Sequence, residues 1–209
     1  MPEAMMVRPG AAADAGAAVP LMMATMGAFA THLFGSGEAQ RAAAVVGQLY
    51  CRPRNRFSGQ YATVVEIAGR LAGILVSYPA SEMPRLDLGM ARHLFSIYGA
   101  GGFARFVGRA LPLALVREAY PGEYFINSLA TAPDLRGQGI GSRLLAWAED
   151  KARAVGCAAC ALSVALDNQR ARALYERQGY RLAGMHRFGD GGFYRMVKGL
   201  DGSGKREYP

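Results

Sequence analysis

Three glycines, Gly137, Gly139 and Gly141, follow an apolar run that ends near Pro133, and a helix is expected to begin at about Ile140. Glycine lets a backbone approach a ligand closely and adopt positive φ. The first turn of a helix offers N–H groups with no intrahelical acceptor, at the positive end of the helix dipole. Together these features make a place for phosphate. Two phosphate loops do not fit. A P-loop ends in Gly-Lys-Ser/Thr, whereas Gly141 is followed by Ser142 and Arg143. A dinucleotide fingerprint reads G-x-G-x-x-G, and the third glycine here comes too early, in Gly137-Gln138-Gly139-Ile140-Gly141.

Other reactive side chains form weaker patterns. Cys157 and Cys160 make a C-x-x-C, but zinc needs a second ligand pair, and only Cys51 and three scattered histidines remain. A redox C-x-x-C sits in an activating setting such as a helix start; this one follows Gly156 at an expected helix end and leads into a strand. Both thiols read as buried and inert, no metal site is expected, and a reducing cytoplasm fits. Glu123 starts an expected central strand, where it could act as a base through water or stand as an exposed strand-end carboxylate. His186 lies after the expected sixth strand, where it could face an acceptor or be structural.

The glycine loop does fit a third pattern, Arg/Gln-x-x-Gly-x-Gly/Ala, through Arg136, Gly139 and Gly141. Downstream, Asn168, Ala171, Leu174, Tyr175, Gly179 and Tyr180 read N-x-x-A-x-x-L-Y-x-x-x-G-[FY]. On these two motifs, in this order and at this separation, the chain resembles the Gcn5-related N-acetyltransferase (GNAT) family. The resemblance is strong from about Glu123 to Lys198, weak before Tyr78 and absent between them. It implies an α/β (α+β) acyl-CoA N-acyltransferase fold, with a mixed central sheet of about seven strands flanked by helices. The activity it implies is direct transfer of acetyl from acetyl-coenzyme A to a primary amine of a small molecule or peptide. A sensor that binds acyl-CoA without turnover and an acyltransferase for longer chains are the alternatives.

The resemblance also implies roles. Backbone groups of Leu129, Ala130 and Thr131 would pair with the pantetheine arm, adding a pseudo-strand to the sheet. Amides from Arg136 through Gly137, Gln138, Gly139, Ile140 and Gly141 to Ser142 would hold the pyrophosphate. Arg136 either shapes the loop or is a plain surface arginine. Asn168, with Ala171, would contact the cofactor arm, although asparagine is also a good helix cap. Tyr175 occupies the general-acid position; an ordinary phenol, with a pKa of about 10, keeps its proton at neutral pH. Packing beside the cofactor is its alternative role. A backbone N–H on a splayed fourth strand would polarise the thioester carbonyl. The branch that acetylates protein N-termini often carries Leu-Glu-Val on strand five. This chain has Leu162-Ser163-Val164, which leaves the base and that substrate class unassigned.

The elements that must position these groups follow from periodicity and turn chemistry. Met5 to Arg8 reads as a first strand, and Asp14 as the cap of a helix whose face carries Met22, Met26, Phe29 and Leu33. Gly35-Ser36-Gly37 breaks it, a second helix spans Glu38 to Tyr50, and Cys51 to Gly59 is an Arg-rich loop. Tyr61 to Ile67 and Leu71 to Tyr78 form a hairpin through Ala68-Gly69-Arg70. Residues 81–122 form a helical insertion between strands three and four. One helix there has Leu88, Ala91, Leu94 or Phe95, and Tyr98 on a face; Gly99 to Gly102 breaks the chain; Phe103, Phe106, Val107, Ala110 and Leu113 suit a second. Such insertions are often functional, and this one is expected to border the acceptor cleft, with a homodimer contact as the rival role. The central strand runs from Tyr124 to Thr131, a helix from Ile140 to Val155, a buried strand from Ala158 to Val164, and a helix from Asn168 to Gln178. Arg181 to Met185 and Phe193 to Lys198 close the sheet, with Gly189, Gly191 and Gly192 between them. The expectation is a single domain over residues 1–200 and a loose polar tail over 201–209.

The bulk numbers allow this. The 209 residues suffice for one domain with a sizeable core, and 51% are hydrophobic, an ordinary globular share. The net charge of +8 suits an anionic ligand. Lysines and arginines are scattered apart from Arg52, Arg54 and Arg56, so nucleic acid is not expected and most of the charge reads as solvated surface. Residues 15–37 carry no charge, but Pro20 and His32 interrupt a mild stretch of Ala, Met, Gly and Thr. A helix facing the core and a cleft is expected there, without a membrane.

Overall fold

The computed structural model describes residues 4–113, 116–188 and 191–200. The tail from Asp201 and Gly189 of the last connection lie outside the described residues. Seven strands form one sheet: β1 (Met6–Pro9), β2 (Ala62–Ile67), β3 (Arg70–Pro79), β4 (Glu123–Thr131), β5 (Ala159–Ala165), β6 (Arg181–Phe188) and β7 (Gly191–Gly199). Their order is β1-β2-β3-β4-β5-β7-β6. Neighbours are antiparallel except β4 and β5, which run parallel. A parallel pair needs a crossover, here the helix α4 (Ile140–Ala154) that follows the glycine loop. The β2–β3 hairpin closes on Ala68 and Gly69, both with positive φ, as a two-residue turn requires.

Each face of the sheet carries its own core. One is built with α1 (Ala15–Gly35), α2 (Ala39–Cys51) and α3 (Met83–Ala110), and buries Met22, Phe34, Leu49, Ile74, Tyr78, Leu94 and Phe125. The other is built with α4 and α5 (Gln169–Arg177), and buries Leu75, Ile126, Leu144, Leu145, Leu162 and Tyr175. β4 serves both cores through a bulge. Ile126 pairs with Ser77 and Ser128 with Val76, so Asn127 is the extra residue with no partner on β3.

α1 is long and apolar enough by length and composition to cross a membrane. Here it kinks at Gly27 (φ 55°, ψ −139°) and packs Ala18, Met22, Ala30, Leu33 and Phe34 into the first core. Asp14 does not cap it with its side chain. Its carboxylate instead takes Arg8 (2.7 and 2.9 Å) and the Ala11 N–H (2.8 Å), because a guanidinium fork is the stronger donor.

The insertion is α3, bent at Gly99 (φ 67°, ψ 178°), within the expected break. Its buried stripe differs from expectation. Leu86 and Leu94 are buried while Leu88, Phe95 and Val107 are exposed, so the face is rotated toward Leu86, Met90 and Leu94. In this orientation Gly89 lies close against the 52–58 loop, and a Cβ there would be 1.8 Å from the Arg54 carbonyl oxygen. Gly89→Ala should therefore force α3 away from the 52–58 loop and lower stability by about 1–3 kcal/mol, the usual cost of overpacking. Gly108→Ala on the same helix meets nothing within 4 Å and should be neutral or mildly stabilising. Thermal melts of the two variants test this, and equal melting temperatures would refute the contact.

Candidate active site

β4 and β5 pair only from Glu123 to Ile126 against Ala159 to Leu162. Beyond that point each strand keeps its outer neighbour: β4 stays on β3 to Thr131, and β5 stays on β7 to Ala165. The two inner edges diverge, and a cavity of about 520 Å3 opens against the splay. Asn127, Ser128 and Leu129 line it from one strand, Leu162, Ser163, Val164 and Ala165 from the other, and Asn168, Ala171 and Tyr175 from α5. The β4 edge past Ile126 has no ladder partner on β5, so its N–H and C=O groups on that side are free to receive an extended chain.

Just beyond β4 comes the glycine loop. Gly137 (φ 85°) and Gly139 (φ 79°) turn it, and Gly139 sits at the N-terminal cap position of α4 with no side chain to cap it. The first bond of the helix is donated by the Arg143 N–H to the Gly139 carbonyl at 3.0 Å. The amides of Ile140, Gly141 and Ser142 therefore precede the intrahelical ladder. Arg136 to Gly139 are exposed, Gly141 and Ser142 half-buried, and Ile140 buried against the second core. A Cβ built at Gly137 or Gly139 meets nothing within 4 Å, so the outer side of the loop is open to a ligand. These features fit a pyrophosphate-bearing group: free amides, a positive helix end and no carboxylate in the turn.

Tyr175 is 7% exposed and lines the cavity, and its hydroxyl has no hydrogen-bond partner among the described residues. Burial pushes its phenol up to about 12, so it is a proton donor at neutral pH. Asn168 both lines the cavity and caps α5, accepting the Ala171 N–H at 3.1 Å. Leu129 lines the cavity, whereas Ala130 turns to the first core and Thr131 is half-buried. Burial also pushes the Cys160 thiol up to about 12, in keeping with an inert residue. Among the described residues no cluster of potential metal ligands occurs.

Two expected positions are corrected. Glu123 is 3% exposed rather than open at a strand end, and both its oxygens bind Arg195 Nη2 at 2.5 and 2.6 Å. It also accepts the Tyr120 N–H at 2.7 Å, and it lies in the paired part of β4, outside the cavity. His186 lies within β6, opposite Phe193, rather than after it, because the strand extends to Phe188.

The cavity holds residues that the motifs did not mark. Arg56, read as solvated surface, is largely buried and ion-paired with Asp87 of α3 and with Glu118. Asn127 joins this group to the splay. Its Nδ2 donates to the Arg56 carbonyl at 3.1 Å and its Oδ1 accepts from Tyr78 Oη at 3.0 Å. The only local signal for Asn127 is an amide inside an apolar strand.

Comparison with known proteins agrees with this geometry. The family described as "Acetyltransferase (GNAT) family" matches residues 34–180. An aminoalkylphosphonate N-acetyltransferase of Salmonella typhimurium is 45% identical over 56 residues, 27% of this chain and 36% of that protein. The chain thus matches little more than a third of that relative's length. A solved acetyltransferase superposes with a TM-score of 0.69 at 25% identity, over 94% of this chain and all of the other. PaiA N-acetyltransferase from Thermoplasma acidophilum, solved in complex with coenzyme A, shares the fold at a TM-score of 0.53 and 11% identity, over 94% of this chain and 99% of its own. With a matched family region covering most of the chain and a seven-stranded sheet splayed at its parallel pair, the protein belongs to the GNAT acetyltransferase family.

Proposed function

We propose that the protein transfers an acetyl group from acetyl-coenzyme A directly to a primary amine. The observation that carries this reading is Tyr175, 7% exposed and with no hydrogen-bond partner for its hydroxyl among the described residues, in a cavity that borders the free edge of β4. Acetyl-coenzyme A, when bound, supplies an activated thioester. The chain's own groups do the rest. Amides of the loop from Arg136 to Ser142 hold pyrophosphate, and the free β4 edge from Asn127 to Thr131 orients the extended arm by backbone hydrogen bonds. Tyr175 Oη, a neutral phenol at neutral pH, gives its proton to the leaving thiolate, and the proton lost by the acylated nitrogen restores the phenol. No cysteine lines the cavity among the described residues, which supports transfer without a covalent enzyme intermediate. An amine acceptor accords with the named activity of the Salmonella relative.

Tyr175→Phe tests the assignment. The hydroxyl makes no hydrogen bond among the described residues, so its loss should leave stability nearly unchanged. A thiolate is a fairly good leaving group, so kcat should fall by roughly 10- to 100-fold, the low end for general acid catalysis, with coenzyme A affinity retained. Free-thiol release and calorimetric titration of coenzyme A read the two quantities. An equally active Phe variant would remove Tyr175 from the mechanism. Coenzyme A binding without thiol release from any amine would make the protein an acyl-CoA-binding module.

A further inference from the structure

One end of the cavity has a charge as well as a shape. The charged residues lining it, among those described, are Arg56, Asp87 and Glu118. Arg56 Nε and Nη2 bind Asp87 at 2.5 and 3.0 Å, and Nη1 binds Glu118 Oε2. Burial works against the Arg56 charge, but the Glu118 carboxylate, then Tyr78 and Asp87, outweigh it and hold the guanidinium above its ordinary pKa. Two carboxylates therefore surround one permanent cation, and the cavity keeps a negative charge in excess. Glu118 Oε1 is the oxygen left without a hydrogen bond among the described residues.

The surrounding wall is apolar: Met26, Phe29, Phe34, Phe57, Met90 and Phe106. The Asp87 and Glu118 side chains are 45% and 30% exposed, so solvent screens the excess charge in part, while the apolar wall beside it leaves a field that favours a cation over an anion. Tyr175, 7% exposed and with no hydrogen-bond partner for its hydroxyl among the described residues, lines the same cavity and marks it as a place for a ligand rather than a packing gap. Asp87, Met90 and Phe106 come from α3 and Glu118 follows it, so the insertion supplies two of the three charged groups and part of the apolar wall, the rest of which comes from α1 and Phe57.

We propose that the acceptor is a primary alkyl- or arylalkylamine with an apolar body and no anionic group, bound as the ammonium with its charge held by Glu118 and its body by the methionine and phenylalanine wall, and losing one proton to solvent before its neutral nitrogen attacks. This rests on reading the cavity as an acetyl-transfer site. It also separates the protein from enzymes whose acceptor carries an acidic group beside the amine, because such a group would meet the excess negative charge.

The test compares 2-phenylethylamine, phenylalanine and 2-aminoethylphosphonate as acceptors for the full chain with acetyl-coenzyme A. The amine without an anionic group should have a kcat/KM roughly 100-fold above either anionic one, as like-charge juxtaposition predicts. Glu118→Gln should raise the KM for 2-phenylethylamine by about 10- to 100-fold, narrow its advantage over phenylalanine, and leave coenzyme A affinity unchanged. Asp87→Asn removes a charge from the same wall and should act in the same direction if Glu118→Gln folds poorly. Phenylalanine or the phosphonate used as well as 2-phenylethylamine would overturn the proposal. If no amine releases thiol, the transfer reading fails, and titration of the three compounds into coenzyme A-saturated protein still decides. Tighter binding of 2-phenylethylamine supports the charge assignment, and equal or absent binding overturns it.

Discussion

Gly139→Glu should weaken coenzyme A binding by about 100-fold or more, the scale of losing one or two charge-assisted hydrogen bonds. Two effects act together. The residue sits at φ 79°, where an L side chain adds about 1–2 kcal/mol of backbone strain. The new carboxylate would stand at the positive end of α4, where the loop amides otherwise face pyrophosphate. The fold should survive, because a Cβ at this position meets nothing within 4 Å and the loop is exposed. Gly139→Ala separates the causes: it carries the strain without the charge and should lose much less affinity. Calorimetric titration of coenzyme A, beside a thermal melt, reads both. Wild-type affinity in a folded Glu variant would mean that the loop does not hold the ligand.

The second large effect is expected at Arg195. Its side chain is 3% exposed and Glu123's is 4% exposed, and Nη2 binds both carboxylate oxygens. Arg195→Met would leave a buried carboxylate without its countercharge, a change that typically costs about 3–5 kcal/mol. At roughly 2–4 °C per kcal/mol for a chain of this size, the melting temperature should drop by about 6–20 °C. Adding Glu123→Gln removes the stranded charge and keeps an acceptor for the Tyr120 N–H, so the double variant should recover more than half of the loss. A double variant as unstable as the single one would show that the carboxylate charge is not the cause. There is a functional corollary. Arg195 Nε donates to the Glu118 carbonyl at 3.3 Å, and its guanidinium lies 4.6 Å from the Tyr120 ring centroid. The single variant should therefore raise the acceptor KM through a loosened Glu118, while coenzyme A affinity holds.

The cofactor side of the site was legible in the chain because its signals are local. Glycine spacing marked the turn before Ile140, and Asn168 and Tyr175 share a short motif on one helix. The Gly99 break and the two-residue hairpin at Ala68-Gly69 follow from turn chemistry in the same way. The acceptor side was not legible. Arg56 meets Asp87 31 residues away and Glu118 62 residues away, and no window along the chain contains all three. Arg52, Arg54 and Arg56 look alike in sequence, yet only the last is buried between carboxylates. Glu123 looked like an exposed strand end because its partner Arg195 arrives from β7, 72 residues later. The face of α3 was misread because two apolar stripes compete along it, and the one through Leu86, Met90 and Leu94 is turned to the core while Leu88 and Phe95 stay exposed.

The bulge at Asn127 has a consequence for how this chain can change. In a regular strand, residues an odd number of positions apart face opposite sides. Phe125 and Ala130 nevertheless share the first core, and Ile126 and Leu129 the second. The extra residue thus resets the parity of β4 halfway along. Substituting Asn127 alters the link from Tyr78 to the Arg56 carbonyl but keeps the count. Deleting it would leave Ile126 and Ser128 adjacent against Ser77 and Val76, giving a regular strand with every later side chain on its present face, so what the extra residue adds is the bulge at the splay and not the facing of Leu129.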